Sequence, residues 1–125
     1  MERVLSALVV DSNETMRKIL VAALGKEGFD TAELDHVIGG FERLSTQPPL
    51  DLLVVDCMAP AAGGTAWLAE ARRLAPPTTR ILMVSGETRK ARIAAALDAG
   101  ADEYLMKPFP QEALHEKLVI MGLAE

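Results

Sequence analysis

The sequence predicts an α/β domain in which helices cover both faces of a five-stranded parallel sheet. Short aliphatic runs alternate along the chain with stretches of helical period, the pattern that successive strand–helix–strand units produce. The chain has 125 residues, half of them hydrophobic, and no repeat, low-complexity tract or linker interrupts it. This size suits one hydrophobic core, so we predict a single domain over residues 1–125.

The first strand and helix have the clearest pattern. Leu5–Val10 is a short aliphatic run, and Glu14–Lys26 follows it as an amphipathic helix. Ser12 or Asn13 can cap the start of this helix, and Gly28 can end it. Its apolar residues recur at helical spacing, namely Met16, Ile19, Leu20, Ala23 and Leu24.

The second strand and helix are weaker. Thr31–Leu34 is a short strand, and the following helix over Val37–Leu44 contains Gly39 and Gly40. Each glycine costs about 1 kcal/mol relative to alanine in a helix interior. A Pro-Pro break then precedes Leu50–Val55, which is apolar except for one aspartate and therefore predicts a central strand.

The second half repeats the alternation with clear end signals. The Pro76-Pro77 pair and Gly100 mark the ends of two predicted helices, as expected for residues that seldom continue a helix. The predicted elements are a helix at Thr65–Leu74, a strand at Arg80–Val84, a helix at Arg89–Ala99, a strand at Glu103–Met106 and a helix at Gln111–Gly122.

Four of the five strands end at or next to a residue suited to phosphate chemistry: Asp11, Asp56, Ser85 and Lys107. The flavodoxin-like strand order 2-1-3-4-5 would place the first and third strands side by side. In such a sheet, ligands collect beyond the carboxyl ends of the strands, where the strand order reverses. We therefore expect two carboxylates, a hydroxyl and an ammonium group at one edge.

Composition excludes several classes of protein. The formal net charge is −5 with a pI near 5.0, and no block of basic residues is present, which argues against binding to nucleic acid or to anionic membranes. Cys57 is the only cysteine, so no internal disulfide can form, and no Cys/His cluster has metal-binding spacing. No apolar run is long enough to span a bilayer. We interpret the chain as cytoplasmic.

Four sequence blocks together resemble the response regulator receiver domains of the chemotaxis-regulator (CheY-like) type. They are LVVDSN, DLLVVDCMAP followed by GG, ILMVSGE, and AGADEYLMKPF. Their order and spacing match the family over essentially the whole chain. The resemblance implies a two-component phosphorelay protein that receives a phosphoryl group from a histidine kinase or a histidine phosphotransfer protein. It implies slow autodephosphorylation at most, and no other enzymatic activity.

The resemblance also assigns roles to residues. Asp56 would be the phosphoacceptor, and Mg²⁺ would be held by Asp11, Asp56 and the backbone carbonyl of Met58. Lys107 would pair with the phosphoryl oxygens, and Ser85 would donate a hydrogen bond to them. Pro108 would follow a cis peptide bond that fixes the loop carrying Lys107.

Signalling would then pass to a protein surface. Ser85 and Tyr104 match the family's switch residues, whose repacking alters the surface of the fourth helix, fifth strand and fifth helix. The chain ends soon after its fifth helix, so we expect no output domain and action by docking to a downstream protein. The chain would be a monomer or a phosphorylation-dependent dimer.

One departure from the family pattern bears on the metal. Most receivers carry two acids after the first strand, whereas here Ser12 follows Asp11. Ser12 could hold a metal-bound water, and we expect weaker Mg²⁺ binding because one negative charge is missing.

Three hypotheses therefore stay open. The first is the phosphorylated switch. The second is a pseudo-receiver that binds proteins without being phosphorylated. The third is a small doubly wound enzyme or nucleotide binder, which the lack of a Gly-x-Gly-x-x-Gly or Walker-type loop after the first strand disfavours.

Overall fold

A computed structural model describes residues 3–46, 48–56 and 64–125 of the chain. Five strands alternate with five helices in the described part. The strands are β1 (Ser6–Val10), β2 (Asp30–Leu34), β3 (Leu52–Val55), β4 (Arg80–Ser85) and β5 (Glu103–Met106). The helices are α1 (Glu14–Lys26), α2 (Ile38–Leu44), α3 (Gly64–Leu74), α4 (Lys90–Ala99) and α5 (Gln111–Ile120).

The five strands form one parallel sheet in the order β2-β1-β3-β4-β5. The predicted fold class and strand order are therefore confirmed. Val10 of β1 is in register with Val55 of β3, so Asp11 and Asp56 leave the sheet side by side. Ser85 of β4 is in register with Met106 of β5, which places Lys107 just beyond the adjacent strand end.

Some boundaries differ from the predicted ones by one or two residues. Strand β3 begins at Leu52 and not at Leu50. Asp51 lies just before the strand, where its carboxylate accepts the Ser6 N–H at 2.8 Å and pairs with the Arg3 guanidinium. Helix α5 ends at Ile120, two residues before Gly122, whose φ of 77° is incompatible with a right-handed helix.

Side chains alternate between the two faces of the sheet and build two separate cores. On one face, residues such as Val9, Val54 and Leu82 pack against α1 and α5. On the other face, residues such as Leu53 and Met83 pack with α3 and its neighbours. All five of these strand residues are essentially inaccessible to water. This two-sided burial explains why the central strands are continuous apolar runs.

Helix α2 contains a close approach that its glycines permit. A Cβ atom built on Gly40 would lie 3.0 Å from Cζ2 of Trp67, tighter than an ordinary van der Waals contact. Trp67 is 5% exposed, its Nε1 donates to the Val37 carbonyl at 3.0 Å, and its ring stacks on Phe41. Gly40 therefore costs helix propensity but leaves space for the aromatic packing that holds α2 against α3.

Candidate functional site

Three charged side chains meet at the carboxyl edge of the sheet. The Nζ atom of Lys107 lies 2.7 Å from Oδ2 of Asp11 and 2.9 Å from Oδ2 of Asp56. These residues follow β5, β1 and β3, and 96 positions separate Lys107 from Asp11 in the sequence. The parallel strands therefore bring together the charged residues that the sequence placed at this edge.

Asp11 is fixed by hydrogen bonds to both its side chain and its backbone. Its side chain is 3% exposed, and its Oδ1 accepts the backbone N–H of Asn13 at 2.8 Å. Its backbone N–H donates to the Leu34 carbonyl at 3.2 Å, and its carbonyl accepts a hydrogen bond from Nη1 of Arg17 at 2.9 Å. A buried carboxylate with this many partners has one defined orientation.

Lys107 keeps its charge in this setting. Burial alone would lower its pKa, but the hydrogen bonds that it donates to Asp11 and Asp56, together with their charges, outweigh burial and raise the pKa above the ordinary value of 10.5. The ammonium thus balances one of the two negative charges. A net charge of −1 remains in the three-residue cluster.

Ser85 and Tyr104 lie next to this cluster. Ser85 is 3% exposed at the end of β4, and its Oγ accepts the backbone N–H of Glu87 at 3.2 Å. The Ser85 carbonyl accepts the backbone N–H of Lys107 at 2.9 Å, which ties β4 to the lysine. Tyr104 is 9% exposed, and its hydroxyl donates to the Glu87 carbonyl at 2.6 Å. Burial raises the pKa of Tyr104, so the phenol is neutral.

Glu87 anchors the loop that leads into α4. Its carboxylate accepts the backbone N–H groups of Thr88 and Arg89 and pairs with the guanidinium groups of Arg89 and Arg92. These interactions, led by the side-chain hydrogen bond from Arg89, lower the pKa of Glu87 to about 2. The same residue thus joins Ser85, Tyr104 and the start of α4.

The other residues that the sequence pointed to have different outcomes. Ser12 is exposed, one residue beyond Asp11. Met58, predicted to supply a backbone carbonyl, lies outside the described residues. The peptide bond between Lys107 and Pro108 is cis.

The two carboxylates fit a divalent cation of the Mg²⁺ type. Mg²⁺ is commonly bound by one or two protein carboxylates and keeps several waters. A carboxylate offers about four lone-pair positions, and the hydrogen bonds described for Asp11 use two of them. Within residues 3–46, 48–56 and 64–125, no group of three or more His, Cys, Asp or Glu side chains forms a ready-made metal cluster. Asp11 and Asp56, whose carboxylates share the Lys107 ammonium, are the residues that could hold such a cation.

Sequence reasoning missed Arg17. Its guanidinium reaches the Asp11 carbonyl and also pairs with Glu33 on β2 at 2.8 Å, although its side chain is only 12% exposed. A basic residue on α1 and an acid on the neighbouring strand β2 were the available signals. Neither signal indicates that the Arg17 guanidinium also binds the backbone carbonyl of Asp11.

The chain belongs to the response regulator receiver domain family, whose sequence model matches residues 7–119. It is a CheY-like receiver of two-component signalling. Receivers of this family are phosphoacceptors that generally bind Mg²⁺ and interact with a kinase and with downstream targets.

Individual relatives agree with this assignment. The chain is 33% identical over 118 residues to the chemotaxis protein CheY1 of Helicobacter pylori, covering 92% of this chain and 95% of that protein. A CheY-like receiver domain protein from Methanospirillum hungatei superimposes with a TM-score of 0.82 at 26% identity, covering 94% of this chain and 93% of that one.

A response regulator from Burkholderia pseudomallei, crystallised with a phosphorylated aspartic acid, a calcium ion and citrate, superimposes with a TM-score of 0.77 at 25% identity. The match covers 88% of this chain and 64% of that one. In the described part of the present chain, no helix is both long and apolar enough to cross a membrane.

Proposed function

We propose that Asp56 accepts a phosphoryl group in an Mg²⁺-dependent reaction and that the modified domain controls a protein partner. The observation that carries this proposal is the position of Lys107, whose Nζ contacts Asp11 and Asp56 at 2.7 and 2.9 Å. The remaining net charge of −1 favours a divalent cation beside the two carboxylates, and the ammonium lies where it can pair with an oxygen of a phosphoryl group on Asp56.

The reaction is the attack of a carboxylate oxygen of Asp56 on the phosphorus of a phosphohistidine. A new O–P bond forms as the N–P bond breaks. The electron pair of the N–P bond stays on the leaving imidazole, which takes up a proton from solvent. Carboxylate and phosphoryl group are both anionic, so charge neutralisation is the main requirement for catalysis. When bound, Mg²⁺ would supply part of that positive charge.

The chain's own residues would supply the rest. Attack converts the Asp56 carboxylate into an acyl phosphate, and the carboxyl group itself no longer carries a charge. The Lys107 ammonium can then pair with the phosphoryl oxygens while it keeps its ion pair with Asp11. The Ser85 hydroxyl oxygen accepts the backbone N–H of Glu87, which leaves the hydroxyl hydrogen to donate to a phosphoryl oxygen.

Repacking at Ser85 would then reach the outer surface. Ser85 is joined through Glu87 to the Tyr104 hydroxyl and to the start of α4. The phosphoryl group would favour one of two packings of this segment, which is a population shift. The responding surface, formed by α4, β5 and α5, exposes large apolar residues suited to a protein partner: Leu97, Met106, Val119 and Ile120.

The partners that this proposal requires are proteins. A histidine kinase or a histidine phosphotransfer protein would donate the phosphoryl group, and a downstream protein would bind the altered surface. The net charge of −5 and the absence of a basic block support a protein target over nucleic acid. The loss of one acid at Ser12 predicts weak Mg²⁺ binding, so the site would need a higher Mg²⁺ concentration than a receiver with both acids.

Intact-mass spectrometry after incubation with acetyl phosphate tests the proposal. We expect a gain of one phosphoryl group that requires Mg²⁺ and disappears in the Asp56→Asn variant. Asp98→Asn, which removes an exposed aspartate on α4, is the matched control and should be phosphorylated like the wild type. If the wild-type mass does not change even at high Mg²⁺, the phosphorylated-switch hypothesis is wrong and the pseudo-receiver hypothesis replaces it.

A further inference from the structure

Arg17 closes a ring of hydrogen bonds around the start of α1. The Asn13 N–H donates to the Asp11 carboxylate at 2.8 Å, and the Arg17 backbone N–H donates to the Asn13 carbonyl at 2.9 Å. The Arg17 guanidinium then returns to the Asp11 carbonyl at 2.9 Å. Each member of the ring therefore depends on the other two.

The guanidinium is itself fixed from the other side. Its Nε donates to Oε1 of Glu33 at 2.8 Å, and the same carboxylate oxygen receives Nζ of Lys18 at 2.9 Å. These cations lower the pKa of Glu33, with Lys18 as the largest cause and Arg17 second. Glu33 thus stays ionised at neutral pH and holds the guanidinium plane towards the Asp11 loop.

We propose that Arg17 is a positioning residue that sets the orientation of the Asp11 carboxylate for Lys107 and Mg²⁺. The inference rests on the proposed function, because it concerns the same site. Arg17 acts through the main chain of Asp11 and does not itself contact the reacting atoms. Its planar fork spans the β1–α1 loop and β2 together, which the single ammonium of lysine cannot do with the same geometry.

Arg17→Lys is the decisive variant, because it keeps the positive charge and removes the fork. We expect the Mg²⁺ concentration for half-maximal change of the amide NMR spectrum to rise about fivefold. The maximal rate of phosphorylation by acetyl phosphate at saturating Mg²⁺ should change less than twofold. A residue with a purely structural role would not separate these two quantities.

Arg72→Lys is the matched control. Arg72 also bonds backbone carbonyls, those of Pro76 and Thr79, and also pairs with a carboxylate, that of Asp102. These partners precede β4 and β5, so they lie at the amino-terminal edge of the sheet, opposite the candidate site. This variant should leave the Mg²⁺ midpoint within twofold of the wild-type value.

Hydrogen exchange of the Asn13 amide, measured by NMR without metal, separates this inference from the proposed function. We expect exchange at least fivefold faster in Arg17→Lys and no change in Arg72→Lys. If the wild type takes up no phosphoryl group or shows no Mg²⁺ response, the proposed function is refuted. The exchange rate of the Asn13 amide then still tests whether Arg17 orders the loop around Asp11.

The inference is overturned if Arg17→Lys leaves the Asn13 exchange within twofold of the wild type, or if Arg72→Lys accelerates it equally. Should Arg17→Lys fail to fold, Glu33→Gln replaces it. That variant keeps an oxygen acceptor for the guanidinium and removes the charge that holds it. We expect about twofold faster exchange at Asn13, and an unchanged rate would count against the ring.

Discussion

Lys107 is the residue on which the site's charge balance depends. Its ammonium is the cation described between Asp11 and Asp56, whose side chains are 3% and 12% exposed. Without the ammonium, two poorly hydrated carboxylates would face each other at short range. Stability and function therefore depend on the same contact at this position.

The Lys107→Met variant should be less stable than the wild type. Removing one partner of a mostly buried ion pair leaves uncompensated charge, and we expect the free energy of unfolding to fall by about 2 kcal/mol. Urea denaturation at pH 7 measures this, and added Mg²⁺ should recover part of the loss.

Lys117→Met is the control for that measurement. Lys117 pairs with Glu103 at 2.7 Å, but the two side chains are 30% and 25% exposed. A pair so accessible to water contributes about 0–1 kcal/mol, so its loss should cost less. Equal losses in the two variants would contradict the proposed importance of the Lys107 cluster.

The charge missing at Ser12 can be restored by one substitution. Ser12 is exposed and directly follows Asp11, so Ser12→Asp adds a carboxylate at the mouth of the site. One more unit charge at several Å in a partly hydrated environment contributes about 1 kcal/mol, which corresponds to roughly fivefold to tenfold tighter Mg²⁺ binding. Isothermal calorimetry measures the affinity.

Thr78→Asp adds the same charge at the opposite edge of the sheet, in the exposed turn before β4. It should leave Mg²⁺ affinity unchanged. Equal affinities of Ser12→Asp and the wild type for Mg²⁺ would show that the missing acid does not limit binding.

At the scale of elements, the sequence predicted the order and type of every strand and helix, and the clearest signal came from the central strands, which are buried on both faces. Continuous aliphatic runs such as LLVV and ILMV, bounded by turn residues, are typical of such covered strands. The ends were less well predicted. Asp51 precedes β3 and is not a strand residue, because its carboxylate binds the Ser6 N–H and the Arg3 guanidinium at the start of β1, and these tertiary partners are not visible in the local sequence.

The convergence of Asp11, Asp56 and Lys107 was predictable because topology alone brings strand ends together. The contacts of Arg17 and Glu87 were not. Both residues bond backbone groups, and the backbone has no signature in a sequence. The role of Gly40 was not predictable either, because the glycine makes room for Trp67, which approaches from another helix.

Helices α1 and α5 are joined by a pH-dependent contact. Nδ1 of His115 lies 2.6 Å from Oε1 of Glu27, and Gln111 donates to the other carboxylate oxygen at 3.0 Å. The hydrogen bond with Glu27 is the main cause that raises the pKa of His115 above its ordinary value of 6.5, with Glu125 and Glu116 adding to it. The same contact lowers the pKa of Glu27.

Stability should therefore fall as the pH rises above about 6.5 and through the raised pKa of His115. A histidine whose pKa is raised by folding stabilises the protein fully below its unfolded pKa, and the contribution is lost as the pH rises through the folded pKa. Unfolding by urea at several pH values should show this decline in the wild type and not in His115→Gln. His36→Gln removes the other histidine and should keep the decline. A decline that persists in His115→Gln would assign it to other groups.

At the scale of the whole molecule, the candidate site and the α4-β5-α5 surface are connected through a few hydrogen bonds. Lys107 is tied to β4 by its backbone N–H to Ser85, and Ser85 is tied to Glu87 by its hydroxyl. Glu87 in turn holds the start of α4 and accepts the Tyr104 hydroxyl. A change at Asp56 therefore has a continuous route to the surface.

The Tyr104→Phe variant tests that route. Tyr104 is turned inward, 9% exposed, which is the packing that we expect phosphorylation to favour. The variant keeps the buried ring and removes the 2.6 Å hydrogen bond to the Glu87 carbonyl that holds this inward packing, worth about 1 kcal/mol, or roughly a fivefold change in the ratio of the two packings. In the phosphorylated wild type we expect amide NMR shifts throughout α4, β5 and α5. In phosphorylated Tyr104→Phe those shifts should move back towards the unmodified positions, although intact mass shows the same phosphoryl gain. If phosphorylated Tyr104→Phe shows the same amide shifts as the phosphorylated wild type, the hydrogen bond between Tyr104 and Glu87 does not couple Asp56 to α4, and the surface responds through other contacts.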